Sequence, residues 1–353
     1  MKKSLMATVA LVIAIGMILT ACGTSGNNVG KGNKKDFKVG MVTDVGGVND
    51  KSFNQSAWEG LQKFGKDFDL EKNTNYKYLQ STKQADYQPN LNQLVHSDFD
   101  LVFGIGYLMQ SDVQKVAEQN KKAKLAIVDS VVDAPNVASI NFKEEEGSFL
   151  VGVIAGKMTK TNKIGFIGGI ESDLVKKFEN GFKAGVKSVN PNAEIFVQYA
   201  GAFDKADQGQ AIAATFYGKG ADIIYHAAGA TGNGVFTEAK TRKKDGQNVW
   251  VIGVDRDQYD AGLPEDVTLT SMVKHVDQAV YDVSKMTMEG NFPGGKVLRF
   301  GLKENGVGIA DHKEHIPDDV LKLVDDYKNK IINGDIKPPA TDKDYEAFVK
   351  NLK

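Results

Sequence analysis

Apolar and polar residues follow two rhythms along this 353-residue chain. Short, nearly continuous apolar runs recur at 37–43, 76–79, 101–105, 125–128, 137–140, 164–167, 195–199, 223–225, 249–254 and 269–273. Such runs, bounded by Gly, Asp or Asn, read as strands buried on both faces. Between most of them the apolar positions step by three and four. Phe53, Ala57, Leu61, Phe64 and Phe68 form one such stripe and predict a helix over 52–68. Segments 108–120, 174–189, 208–217 and 234–244 read the same way. Alternation of this kind predicts parallel sheets flanked by helices. There are two series, 37–140 and 164–254, each the size of one doubly wound sheet. Segment 144–158 is expected to close the first series. The polar stretch 159–163 is then a crossing to the second, and 269–274 a return crossing.

The chain start breaks this pattern. Lys2 and Lys3 precede an apolar run over 5–21, which ends Leu19-Thr20-Ala21-Cys22. A run this short, after a positive start, is typical of an export signal. The leucine three places before a cysteine resembles the bacterial lipobox, in which cleavage precedes the cysteine and its thiol takes a diacylglycerol. The alternative is an uncleaved anchor with an incidental cysteine. Residues 23–35, GTSGNNVGKGNKK, have one apolar side chain, Val29, and read as a flexible tether.

Charge changes the picture by exclusion. Forty-four Lys and Arg balance 45 Asp and Glu, so no basic excess points to a nucleic-acid partner. The single cysteine, Cys22, excludes an internal disulfide. His312 and His315 stand three apart in a polar stretch without an identifiable third ligand, so no metal site is expected. No nucleophile elbow, HExxH or phosphate-binding loop occurs, and no catalytic set or cofactor emerges. Gly104-Ile105-Gly106 follows a strand, but Met109 stands where a dinucleotide loop needs glycine.

Ligands of parallel sheets sit at the carboxyl ends of the strands. Asp44 with the following GGVNDKSFN, Asp129, Phe203, Gly229 and Asp255 all fall there, and Lys274 ends the return crossing. Each has a plain alternative. Phe53 can be core, Phe203 can staple a helix, Asp129 and Asp255 can cap helices, and Lys274 can be a surface lysine.

Five blocks, VGMVTDVGGVNDKSFNQSAWEG, EEGSFLVGVIAG, AAGATGNGVF, VWVIGVDRDQY and LTSMVKH, resemble the basic membrane protein/Med family of bacterial lipoproteins, above all its purine-nucleoside-binding members. The resemblance runs from about Val39 to Ile309. It implies the type I periplasmic-binding-protein fold: two α/β lobes, three crossings and a cleft between them. It also implies a binding protein, not an enzyme, that is monomeric and needs no cofactor. Such a protein delivers purine nucleosides to the permease and ATPase subunits of an ABC importer, from a lipid anchor at Cys22 on the extracytoplasmic face of the cell membrane. Carried over residue by residue, Phe53 and Phe203 would stack on the base, with Asn54 as a hydrogen-bond partner. Asp129 would read the base edge, and Gly229, Asp255 and Lys274 would hold the ribose. The implied division is a signal at 1–21, a tether at 22–35, a first lobe from 36–160 and 275–310, and a second from 161–274 and 311–353. Competing readings are a sugar or signal-molecule receptor of the same fold, a nucleoside-cleaving enzyme, and a surface adhesin.

Overall fold

The computed structural model describes residues 36–352; the expected signal, Cys22 and the tether lie outside the described residues. The first elements are β1 (Val39–Val42), α1 (Phe53–Asp67), β2 (Tyr76–Leu79), α2 (Tyr87–His96), β3 (Leu101–Ile105), α3 (Gln110–Gln119), β4 (Leu125–Val128) and β5 (Val137–Phe142). There follow α4 (Glu144–Met158), β6 (Lys163–Gly168), α5 (Asp173–Val189), β7 (Glu194–Tyr199), α6 (Ala206–Gly218), β8 (Ile223–Ala227), α7 (Gly232–Lys244), β9 (Trp250–Asp255) and β10 (Thr268–Lys274). The chain ends with α8 (Val276–Met288), β11 (Val297–Phe300), β12 (Val307–Ile309), α9 (Asp318–Asn333) and α10 (Asp342–Asn351).

Two six-stranded sheets result, ordered β2-β1-β3-β4-β5-β11 and β7-β6-β8-β9-β10-β12. Every named pairing is parallel except β10 with β12. The continuous apolar runs have their cause here. β1, β3 and β4 are buried throughout because helices cover both faces of the sheet. In the first lobe Leu91, Leu94, Val113 and Val116 of α2 and α3 cover Val42, Val102 and Ile127. In the second, Ile212, Phe216, Val235 and Ala239 of α6 and α7 cover Ile167, Ile224 and Val251.

Two expected boundaries are corrected. Segment 144–158 does not close the first lobe; as α4 it packs on α5, β10 and α9 of the second. The reason is a glycine seam. A Cβ on Gly152 would stand 2.2 Å from the carbonyl oxygen of Phe182, and one on Gly185 would stand 2.0 Å from that of Phe149. Only hydrogen at these positions lets the two helix backbones touch. The chain therefore crosses at Lys143, not at 159–163. Residues 307–309 also leave the first lobe, because β12 pairs with β10, Met272 facing Ile309. β11 does join the first sheet beside β5. The tail belongs with the second lobe: Tyr327 and Phe348 pack on Phe149 of α4, and Asn180 of α5 bonds Asp342.

The three crossings run side by side at Lys143, His275 and 301–306. Lys143 N–H donates to the Phe300 carbonyl at 2.9 Å, and His275 N–H to that of Gly306 at 2.9 Å. The Glu146 carboxylate accepts from Leu302 N–H at 2.8 Å and from Lys143 Nζ at 2.9 Å. Among the described residues no helix is long and apolar enough to cross a membrane, and no group of three or more His, Cys, Asp or Glu could hold a metal ion.

Candidate ligand-binding cleft

Between the carboxyl ends of the two sheets lies a cavity lined by residues of both lobes, where ligands of parallel sheets sit. All seven residues singled out as ligand contacts line it: Phe53, Asn54, Asp129, Phe203, Gly229, Asp255 and Lys274.

Phe53 is the first residue of α1, whose start is fixed by Asp50. That carboxylate accepts from the N–H groups of Ser52, Asn54 and Gln55 at 2.8–3.1 Å, satisfying the donors a helix start leaves free. Asn54 is fully engaged as well. Its Nδ2 donates to Asp44 at 2.8 Å and to Asp50 at 2.9 Å, and its Oδ1 accepts from Asp44 N–H at 3.2 Å. Both of its donors are thus taken, so Asn54 holds Asp44 in place rather than facing the cavity with a free donor. Asp44 was noted only for its place after β1. It is buried, and burial pushes its carboxyl up to about 7 despite the Asn54 bond.

Asp129 and Asp255 follow or end equivalent strands, β4 and β9. Both take a left-handed backbone, φ +66° and +67°, which Asp tolerates better than most residues. Neither caps a helix: irregular chain leads from Asp129 to β5, and a short turn at 259–262 follows Asp255. Lys274 is no surface lysine; its side chain is 2% exposed. Its Nζ donates to Asp129 Oδ2 at 2.6 Å and lies 3.7 Å from Asp255 and 3.8 Å from Glu144. The rings of Phe53, Phe142 and Phe178 surround it at 4.7, 5.4 and 5.3 Å, a favourable setting for a buried cation. Burial pulls its pKa down, but Asp129, Asp255 and Glu144 outweigh that and hold it above the usual lysine range. Asp255 rises to about 6 by burial, against Lys274 and a 2.5 Å hydrogen bond from Ser52. Asp129 Oδ1 is buried and has no hydrogen-bond partner among the described residues.

Phe203 stands in the loop between β7 and α6, over Gly169, where a Cβ would meet its ring at 2.2 Å. Thr231 pins that loop to the turn at Gly229: its Oγ1 donates to Ala202 O at 3.0 Å and accepts from Lys205 N–H at 2.9 Å, and its N–H donates to Phe203 O at 3.1 Å. Tyr107 of the first lobe meets the Phe203 ring edge-on, centroids 6.3 Å apart. Tyr107, Phe178 and Thr231 carried no signal in sequence beyond their place in a turn or an apolar stripe. Further bonds join the lobes: Ser52 to Asp255, Gln258 to Lys51 O at 2.9 Å, Asn233 to Asp50 O at 3.3 Å and Arg256 to Glu59 at 2.8 Å. His226, on β8, is a support. Burial lowers its pKa to about 4, and its Nε2 pairs with Gln258. His312 pairs with Asp257 and His315 with Asp266.

The cleft presents aromatic rings, a buried ammonium and a carboxylate oxygen that has no hydrogen-bond partner among the described residues. A family model described as ABC transporter substrate-binding protein PnrA-like, the Bmp family, matches residues 37–342. The chain belongs to the Bmp family. Bmp proteins are the substrate-binding components of ABC transporters, not enzymes. Among the relatives is a "CD4+ T-cell-stimulating antigen" of Listeria innocua, 53% identical over 96% of this chain and 99% of that one. Another is the "ABC transporter nucleoside-binding protein BmpA" of Lactococcus lactis, 43% identical over 96% of this chain and all of that one. A solute-binding protein of Aeropyrum pernix superposes with a TM-score of 0.79 at 28% identity, over 90% of this chain and 97% of that one. The fold is therefore that of type I solute-binding proteins.

Proposed function

We propose that this Bmp protein captures purine nucleosides outside the cell membrane, held there by a lipid on Cys22, and hands them to the permease and ATPase subunits of an importer. The observation that carries the reading is the cleft composition. One aromatic from each lobe, Phe53 and Phe203, lines a single cavity with Asp129, Asp255 and Lys274. A neutral nucleoside suits it, since a flat base takes aromatic faces. Base donors fit Asp129 Oδ1, and ribose hydroxyls fit Asp255 and Lys274, with Gly229 backbone beside them. Base–aromatic stacking contributes roughly 1–3 kcal/mol, and aromatics from two lobes couple binding to closure. The name of the Lactococcus relative supports the ligand class.

The test is ligand retained through native purification and identified by mass spectrometry after denaturation, followed by calorimetry with inosine, guanosine, adenosine and ribose. Purine nucleosides should be found and should bind. Ribose binding as well as inosine, or a different molecule retained, would defeat the reading. For the anchor, Cys22→Ala should move the protein from the membrane to the soluble fraction. Membrane retention of a fully processed Cys22→Ala product would argue against lipidation.

A further inference from the structure

We infer that Glu144 is a positioning residue for the ligand site: from the first turn of α4 it holds the Lys274 ammonium and ties it to the crossings between the lobes. The inference rests on the reading of Lys274 as a ligand contact. Glu144 has no exposed surface. Its Oε2 accepts from Lys177 Nζ of α5 at 3.1 Å, while its Oε1 stands 3.8 Å from Lys274 Nζ. That Oε1 is buried and has no hydrogen-bond partner among the described residues. A buried carboxylate oxygen in this state is costly, and the nearby Lys274 ammonium is what offsets the cost.

Position in the chain gives the arrangement its use. Glu144 follows Lys143, the first crossing, whose N–H bonds the carbonyl of Phe300 at the end of β11, where the third crossing begins. Lys177 also donates to the Phe142 carbonyl at the end of β5, at 3.3 Å. Lys274 precedes His275, the second crossing, which bonds Gly306. The buried charges therefore sit where all three connections between the lobes run together. A change of backbone there shifts Glu144 relative to Lys274, and with it the ammonium that faces the cavity.

The charged groups facing Glu144 are Lys177 from α5, Lys274 from β10, Asp129 after β4 and its neighbour Glu145. Burial dominates and raises its carboxyl to about 7, against the two lysines. Ionised Glu144 can hold Lys274; protonated Glu144 cannot. Its contribution to binding is then present above about pH 7 and disappears below it.

Glu144→Gln removes the charge and keeps the shape, so it gives the test. Inosine affinity is measured by calorimetry from pH 5.5 to pH 8.5. The variant should bind more weakly than wild type at the alkaline end, roughly tenfold, the equivalent of one pKa unit. The gap should close toward the acid end, where wild-type Glu144 is also neutral. Glu144→Gln/Lys177→Met leaves no lysine facing a lost partner on α5. It should melt near wild type and still show the alkaline weakness, which a purely structural role would not produce. It also carries the test if the single variant fails to fold. Wild-type affinity of both variants at every pH, while Lys274→Met abolishes binding, overturns this inference and leaves the nucleoside reading standing. Wild type that binds no nucleoside at any pH overturns the reading and this inference together.

Discussion

In the first lobe β4 leads into Asp129, in the second β9 ends at Asp255, and each of these buried aspartates receives a donor from the opposite lobe. Lys274 of the second lobe reaches Asp129 at 2.6 Å, and Ser52 of the first reaches Asp255 at 2.5 Å. The symmetry stops one strand further on. β5 runs out into Lys143, which lies half in solvent and pairs with Glu146, whereas β10 ends in Lys274, 2% exposed. Among the described residues, two sheets of the same order thus share one buried lysine at the cleft, supplied by one lobe and used by the carboxylates of both. A second difference lies after the first strand of each lobe. There the first lobe has Asp44, and the second has Gly169 with the Phe203 ring over it. The common framework brings strand ends together, and the departures from symmetry decide what chemistry meets there.

The largest effect should come from removing the shared cation. Lys274→Met leaves Asp129, Glu144 and Asp255 buried without their ammonium, and breaking a buried pair by deleting one partner costs about 3–5 kcal/mol. Nucleoside binding should fall below detection by calorimetry and thermal stability should drop. Lys143→Met, at the equivalent strand end, should leave both close to wild type. Equal losses from the two variants would show that the lobes do not differ in the way described.

A smaller, more selective effect is expected at Asp255. Its carboxylate lies at the ribose end of the proposed site, while Asp129 has the free oxygen for the base. Charged hydrogen bonds contribute about 1.5–3 kcal/mol each. Asp255→Ala should weaken a ribonucleoside by roughly tenfold or more and its free base little, whereas Asp129→Ala should weaken both. Paired titrations on the two variants decide it. Parallel losses for nucleoside and base in Asp255→Ala would remove the division of labour between the lobes.

The sequence made the strand ends legible because a polar residue closing an apolar run has few places to go. Asp129 and Asp255 stood out for that reason, Gly229 as a glycine in a strand-to-helix turn, and Phe203 because an aromatic in a strand-to-helix loop is conspicuous. The pairings were not legible. Lys274 and Asp129 are 145 residues apart, and nothing local marks one as the partner of the other. The stretch Phe149–Ala155, FLVGVIA, at the centre of α4 announced burial without saying which lobe buries it, since a run apolar all round has no preferred face. Its glycines held the answer, but only beside those of α5. Phe178 read as one more position of a core stripe, and Glu144 as one of three consecutive glutamates; only Glu144 of the three is buried beneath the site lysine. The order of β11 and β12 depended on two very short strands joined by a polar turn, a pattern that fits either sheet edge.

The remaining effect is on stability and not on binding, at Asp44, the strand-end carboxylate whose place in the second lobe is taken by Gly169. In the folded chain burial lifts this group from 3.8 to about 7. The folded state therefore binds its proton more tightly than the unfolded state. The stability that the protonated group contributes is complete below pH 3.8 and is lost as pH rises through about 7. Asp44→Asn fixes the neutral form. Its Oδ1 can still accept from Gly46 N–H and Asn54 Nδ2, the two bonds now made at 2.9 and 2.8 Å. Ligand-free Asp44→Asn should accordingly melt a few degrees above wild type at pH 8, for a gain on the order of 1–4 kcal/mol, and the two should converge near pH 4. Asp44 belongs to the first lobe alone, so the gain should survive removal of the shared cation: Asp44→Asn in a Lys274→Met background should still raise the melting temperature at pH 8. A variant that melts below wild type at pH 8 would mean that the ionised carboxylate is the form the fold requires, held by Asn54 and Gly46 against its burial. Asp44 would then be a fixed negative charge opposite the uncharged Gly169 face of the second lobe.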